Sequence, residues 1–121
     1  MLGCNDVVTL WHKERVEGKD VFTRRILPVL CKWDENIIRD VSDGKAHIAS
    51  AFGVIVPEYE GFNCSVGDIM ALGAVELEIT GEKGSTVSEL KTALAPRVFT
   101  VKAVKDNTRL HLGRHFKIEG V

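Results

Sequence analysis

The chain has 121 residues, 45% of them hydrophobic, which suffices for one cooperative core and falls short of two ordinary domains. Sixteen Lys/Arg against 17 Asp/Glu leave a formal charge of -1, which excludes a globally basic nucleic-acid binder and a uniformly charged disordered tail. A single folded domain over 1–121 is expected.

Apolar residues are dispersed, and no run approaches the roughly 20 residues a helix needs to cross a bilayer. The start, MLGCNDVVTL, has neither a basic region nor an adequate apolar one, so no secretory signal is expected and the cytoplasm is the default compartment. Cys4, Cys31 and Cys64 form an odd, widely spaced set that fits neither a zinc knuckle nor a fully paired disulfide framework. Reduced cysteines are expected, with Cys31 in the core.

In chain order, Val7, Val8, Leu10 and Trp11 begin a strand running toward Lys13, and Val16 to Asp20 supplies the turn of a hairpin. Val21 to Leu27 continues through Pro28 to Val29-Leu30-Cys31-Lys32-Trp33 as one long strand. It must be irregular, because Pro28 has no amide donor and belongs at an edge, bend or bulge. Asp34 to Gly44 reads as a loop or edge hairpin. Ala46 to Val56 is extended, with a possible bulge at Gly53, and Pro57 ends it. After a loop over Glu58 to Ser65, Gly67-Asp68 leads into Ile69 to Ala74. Val75-Glu76-Leu77-Glu78-Ile79 is the clearest period-2 pattern and predicts a half-solvated strand. Thr86 and Glu89 form a capping box for a helix over 87–94 that Pro96 stops. Val98 to Val104 and Phe116 to Glu119 complete the strands, with Asp106-Asn107 as a turn. Many short strands and one helix predict a mainly β fold: a small antiparallel β-barrel or rolled sheet of SH3 or OB type.

Motifs for chemistry are weak. His111 and His115 are the one close histidine pair, yet Gly113 between them opposes the helix that would make them converge on a metal, so turn or interface histidines are preferred. Glu58 with Glu60, and Glu76 with Glu78, have the i, i+2 spacing that shares a face on an extended strand, but nothing in the composition implies a cleft, and surface carboxylates are preferred over an acid–base pair. Gly81 to Thr86 lacks the order of a phosphate-binding loop. No enzyme, metal or cofactor is expected.

Charge distribution says more than net charge. Glu58 to Glu89 carries seven carboxylates against Lys83 alone, whereas Arg97 to Val121 carries six Lys/Arg against Asp106 and Glu119. These are either the solvated faces of strands and loops or opposite patches that steer docking between subunits. The candidate interface residues are Glu58, Glu60, Glu76, Glu78, Lys102, Lys105, Arg109, Arg114 and Lys117. The basic end, with Phe99 and Phe116, is also the candidate for contact with nucleic-acid backbones through a small β-barrel module.

The series Leu30-Cys31-Lys32-Trp33, Val54-Ile55-Val56-Pro57, Gly67-Asp68-Ile69-Met70-Ala71-Leu72-Gly73, Val101 to Asn107 and His115 to Gly120 resembles small head–tail connector, minor capsid and tail-completion proteins of tailed phages and Gram-positive prophages. The resemblance covers most of the chain. It implies a non-enzymatic β-barrel protomer, assembled as a ring homo-oligomer between portal or adaptor and tail, in the virion or in the host cytoplasm during assembly, with possible backbone contact to packaged DNA. It further implies that Gly67-Asp68 is the turn before a barrel strand, Asp106-Asn107 the turn after another and His115-Phe116 the start of the closing strand, with Trp33 and Pro57 as structural markers. The chain departs from the pattern in having no obvious long insertion loop, leaving stopper, joining ring and tail terminator open. A ring needs two different complementary faces per protomer, and the acidic and basic stretches are the candidates.

Overall fold

The computed structural model describes residues 3–42, 45–109 and 112–121, with the backbone alone over 36–42 and 45–50. Seven strands and one helix follow in the order β1 (Val8–Val16), β2 (Lys19–Ile26), β3 (Lys32–Ser42), β4 (Lys45–Pro57), β5 (Ile69–Leu72), α1 (Val87–Leu94), β6 (Val98–Asn107) and β7 (His115–Gly120). They form a single sheet in the order β2-β1-β5-β6-β7-β4-β3, every neighbouring pair antiparallel. The expected first hairpin is present. Its two central residues, Glu17 and Gly18, both have positive φ (51° and 78°), the combination that matches the twist of a two-residue hairpin.

β2 and β3 are consecutive in the chain yet occupy opposite edges of the sheet. The five residues between them reach at most about 20 Å, whereas seven flat strands would hold the edges about 29 Å apart. The sheet is therefore rolled. The connection runs along the N-terminal flank of β1: Leu27 N donates to Val8 O at 2.9 Å, and Asp6 and Cys31 exchange backbone bonds of 2.9 and 2.7 Å. Asp6 Oδ2 also accepts from Trp33 N at 3.0 Å.

Of the two architectures expected, the rolled sheet is present and the closed barrel is not: among the described residues the edge strands β2 and β3 form no ladder, and an isolated bridge, Asp6 to Cys31, stands where a barrel would have one. The long strand through Pro28 is two strands, since proline cannot donate and the ladder begun by β2 stops at Ile26.

The pleat divides the apolar residues between two clusters. Inside the roll, Val8 and Leu10, Met70, Phe99 and Val101, Ile118, and Val54 and Val56 pack with Leu27 and Cys31. Phe99 stacks on Phe52 with ring centroids 5.3 Å apart, and Trp33 tilts against both. Outside, Trp11, Ile69, Ala71 and Val98 lie under Ile79 and Leu90. β1, β5 and the start of β6 are thus covered on both faces, whereas the outer face of β4 and β7 is open.

α1 spans the predicted residues. Thr86 Oγ1 accepts from Glu89 N at 3.2 Å, and the Glu89 carboxylate takes the Thr86 hydroxyl and Gly84 N, at 3.2 and 3.0 Å, rather than the cap's own amide. Residues 75–79 form no strand, contrary to their alternation. They cross the outer face as a strap whose backbone bonds go to side chains: Val75 N donates to Thr9 Oγ1 (3.0 Å), and the carbonyls of Val75 and Leu77 accept from Arg24 and Trp11. The expected bulge is displaced as well. Gly53 keeps regular register between Asp34 and Glu119, and the irregularity falls in β6 between Val101 and Ala103.

Candidate functional site: two opposed outer faces

The open outer face is built by register. Val54 and Ile118 point into the core, so the alternating residues face outward. One rung across β3, β4, β7 and β6 reads Lys32, Ile55, Lys117, Lys105, and the next reads Asp34, Gly53, Glu119, Ala103. The β6 bulge adds Lys102, which is exposed and makes no ion pair among the described residues. Glu119 is shared by Lys105 and Lys117 at 3.4 and 3.6 Å. A groove of about 450 Å³ crosses this face, floored by Ala51, Gly53, Ile55 and Ala103 and rimmed by Lys102 and Lys117. Four lysines face two carboxylates, so the face is basic.

The strap lies across the roll from it. Val75 and Ile79 turn inward, and Trp11 Nε1 donates to Leu77 O at 2.9 Å, leaving the Leu77 side chain half exposed between Glu76 and Glu78. Arg24, beneath the strap, donates to Val75 O at 3.1 Å, and its Nε lies 3.7 Å from Glu78. Ser85 Oγ donates to Glu78 O at 2.6 Å, tying the strap's far end to the turn before α1. A second groove of about 500 Å³ runs between strap and helix, with Glu76, Glu78 and Glu89 on its walls. Glu76, Glu78, Glu82 and Glu89 outnumber Arg24, Lys83 and Lys91 here, so this face is acidic.

A third cluster joins β1 to the 58–68 loop. Asp68 is fully buried and accepts from Lys13 N and Ser65 N, both at 2.9 Å, with His12 Nδ1 at 2.8 Å. A carboxylate can only accept, which puts the imidazole proton on Nδ1 and turns Nε2 toward Asn63 Nδ2 at 3.3 Å. The cleft beside it, about 280 Å³, is lined by Glu14, Arg25 and Tyr59 among others. Cys31 and Cys64 are both held toward the neutral thiol. Burial, with Cys4 and Asp6 adding, pushes Cys31 up to about 12, and burial beside the Asp68 carboxylate raises Cys64 as well.

The residues singled out in the sequence separate accordingly. Glu58 pairs with Arg114 at 3.2 Å inside one protomer, joining the acidic and basic stretches in cis. Glu60 and Arg109 are exposed. Glu76 and Glu78 fall on the strap, and Lys102, Lys105 and Lys117 on the opposite face. Gly67 has φ +99° in the turn before β5, and Asp68 is the buried acceptor above. Asp106 and Asn107 end β6 rather than forming the turn: Asp106 Oδ1 accepts from Thr108 N at 2.9 Å and from its hydroxyl, which holds the Asp106 carboxyl below its usual range. Pro57 pairs with His115 at the end of β4. Phe116 packs on Phe62, and Phe99 is fully buried, so neither offers a stacking platform for bases. His111 lies outside the described residues, and among those residues no three His, Cys, Asp or Glu converge as metal ligands.

Sequence reasoning passed over Lys32, Leu77 and His12. Lys32 joins the basic face only through β3 register, and Leu77 was assigned to a core face by an alternation that no neighbouring strand enforces. Among the described residues no helix is long and apolar enough to cross a membrane. Residues 3–121 match the model of a family of unknown function (DUF6751), and the chain belongs to that family. No curated protein and no solved structure matches it.

Proposed function

Since family membership leaves the activity open, we propose that this chain is a non-enzymatic structural protein of a phage or prophage head–tail junction, assembling as a ring protomer between portal or adaptor and tail. One observation carries the reading. β7 pairs with β4 from Phe52 to Pro57 only, so among the described residues Lys45 to Ala51 has β3 as its sole partner. Seven residues at about 3.3 Å each carry this two-stranded ribbon about 23 Å past the sheet. The β3–β4 hairpin supports the reading as a counterpart of the insertion loop that such connectors carry.

A two-stranded ribbon is marginal alone, and its unpaired edges are templates for another chain. Its sequence is rich in apolar residues (Ile37, Ile38, Val41, Ala46, Ile48, Ala49), which suits an arm laid on a neighbour. A finer resemblance to SH3 or OB barrels fits the rolled sheet and belongs to the same proposal.

The test is absolute mass by light scattering over a concentration and salt series, with negative-stain imaging. The wild-type chain is compared with a variant in which residues 37–50 are replaced by Asn-Gly. The expected result is a discrete closed oligomer with a central channel for the wild type and a monomer for the shortened chain. A wild-type chain that stays monomeric throughout, or a shortened chain that assembles equally well, overturns the reading.

The lysine row Lys32, Lys117 and Lys105 favours one second reading, contact with nucleic-acid backbones. Titration with duplex and single-stranded DNA would then show affinity falling steeply with salt. Salt-independent or undetectable binding removes it.

A further inference from the structure

We propose that the acidic strap of one copy seats in the lysine-rimmed groove of the next, with Leu77 entering over Gly53 and with Glu76 and Glu78 meeting Lys102 and Lys117. This rests on the ring reading above and names the surfaces that would close the ring.

Position comes first. In the roll, β1 and β5 pack across the inner core from β4 and β7, so the outer faces of these two halves point in opposite directions. The strap covers the first outer face, and the groove lies open on the second. Two unlike surfaces on opposite sides make a heterologous contact, the kind that repeats around a ring when the rotation closes.

Shape agrees with that placement. Leu77 is 50% exposed and held outward by its own carbonyl bond to Trp11. Gly53 has no side chain, and a methyl built there meets nothing within 4 Å, so the groove floor is open where an apolar knob would enter. Ile55, Ala51 and Ala103 provide the apolar walls.

Charge supplies the register. Glu76 and Lys102 make no ion pair within the protomer among the described residues, so each is available to a partner. Glu78 is only 3.7 Å from Arg24 Nε, and Lys117 is 3.6 Å from Glu119, so both keep capacity for a second contact. The groove also holds Asp34 and Glu119, which would repel a misplaced carboxylate and so restrict the docking to one register.

The test uses the full chain in two arms. Gly53→Cys and Leu77→Cys chains are mixed under mild oxidation, with the wild type as control for Cys4, Cys31 and Cys64. A disulfide-linked heterodimer is expected in the mixture and in neither variant alone. In the second arm, Glu76→Lys or Lys102→Glu alone should weaken assembly about tenfold at low salt, and the double swap in one chain should restore it. Absence of the heterodimer while the wild type still forms a discrete oligomer overturns this contact and leaves the ring reading standing. Single charge reversals that leave assembly unchanged overturn the contact likewise. A wild-type chain that is monomeric and never cross-links takes down both.

Discussion

Trp11 Nε1 donates to the carbonyl oxygen of Leu77 at 2.9 Å, and this bond joins the outer core to the strap. The indole is fully buried, so its N–H needs a partner. Taking one from the strap fixes the strap's path and turns Leu77 outward. Replacing Trp11 with Phe keeps an aromatic ring under the strap and removes the donor. We expect a loss of about 1–2 kcal/mol in urea unfolding and weaker assembly at protein concentrations where the wild type is fully associated. Unchanged assembly with the expected stability loss would separate the strap's path from docking.

Gly120 is required by packing, since a methyl there would overlap the Phe99 ring and the Thr100 carbonyl oxygen. The backbone oxygen cannot move without breaking the exchange between Thr100 and Val121, whose bonds are 3.0 and 3.2 Å. Gly120→Ala should therefore cost about 2–3 kcal/mol, read as a lower denaturation midpoint. Gly53→Ala, facing open space, should stay within about 0.5 kcal/mol of wild type.

Asp68 ties β1 to the 58–68 loop by accepting from three donors while fully buried. In Asp68→Asn one acceptor oxygen becomes an amide NH2 donor that must face another N–H. The expected cost is about 2–3 kcal/mol, together with faster amide exchange at Lys13 and Ser65. His12→Ala leaves both backbone bonds in place and should cost less. Equal exchange rates in wild type and Asp68→Asn would contradict this account of the loop.

The buried thiols give stability a pH dependence with a definite sign. Cys31 has an ordinary value of 9.0 and is raised to about 12 by burial first and then by Cys4 and Asp6; Cys64 is raised in the same direction by burial and Asp68. Above pH 9 the unfolded chain has released protons that the folded chain still holds, so the stability present below pH 9 is lost as pH rises toward 12. Each thiol therefore makes stability fall as pH rises through that window. Urea midpoints from pH 8 to 11 should fall less steeply for Cys31→Ala than for wild type. Parallel slopes would show that Cys31 does not titrate differently in the two states.

Much of the architecture was legible in the chain because its signals are local. The Val16 to Asp20 turn, the Thr86 cap with Glu89 three residues on, and the apolar runs at Val98 and Phe116 each specify an element through neighbours a few residues away. The failures were non-local. The alternation at 75–79 is that of a strand, but no strand is left to pair with it, and the side chains of Thr9, Trp11 and Arg24 take its backbone groups instead. Gly53 looked like a bulge, but the register of β3 and β7 on either side of it is regular, and the bulge fell at Lys102.

The candidate site shows the same division. Composition along the chain determined that an acidic middle precedes a basic end, and nothing in the fold alters that. Tertiary structure decided which of those charges can face a neighbour. Glu58 is taken by Arg114 within the protomer, Lys32 is brought from far outside the basic end to the lysine row, and the rolled sheet sets strap and groove on opposite sides. Charge and apolar periodicity are properties of residues in order, whereas register and roll depend on which strands meet across the core. Those pairings lie tens of residues apart, where no local pattern can report them.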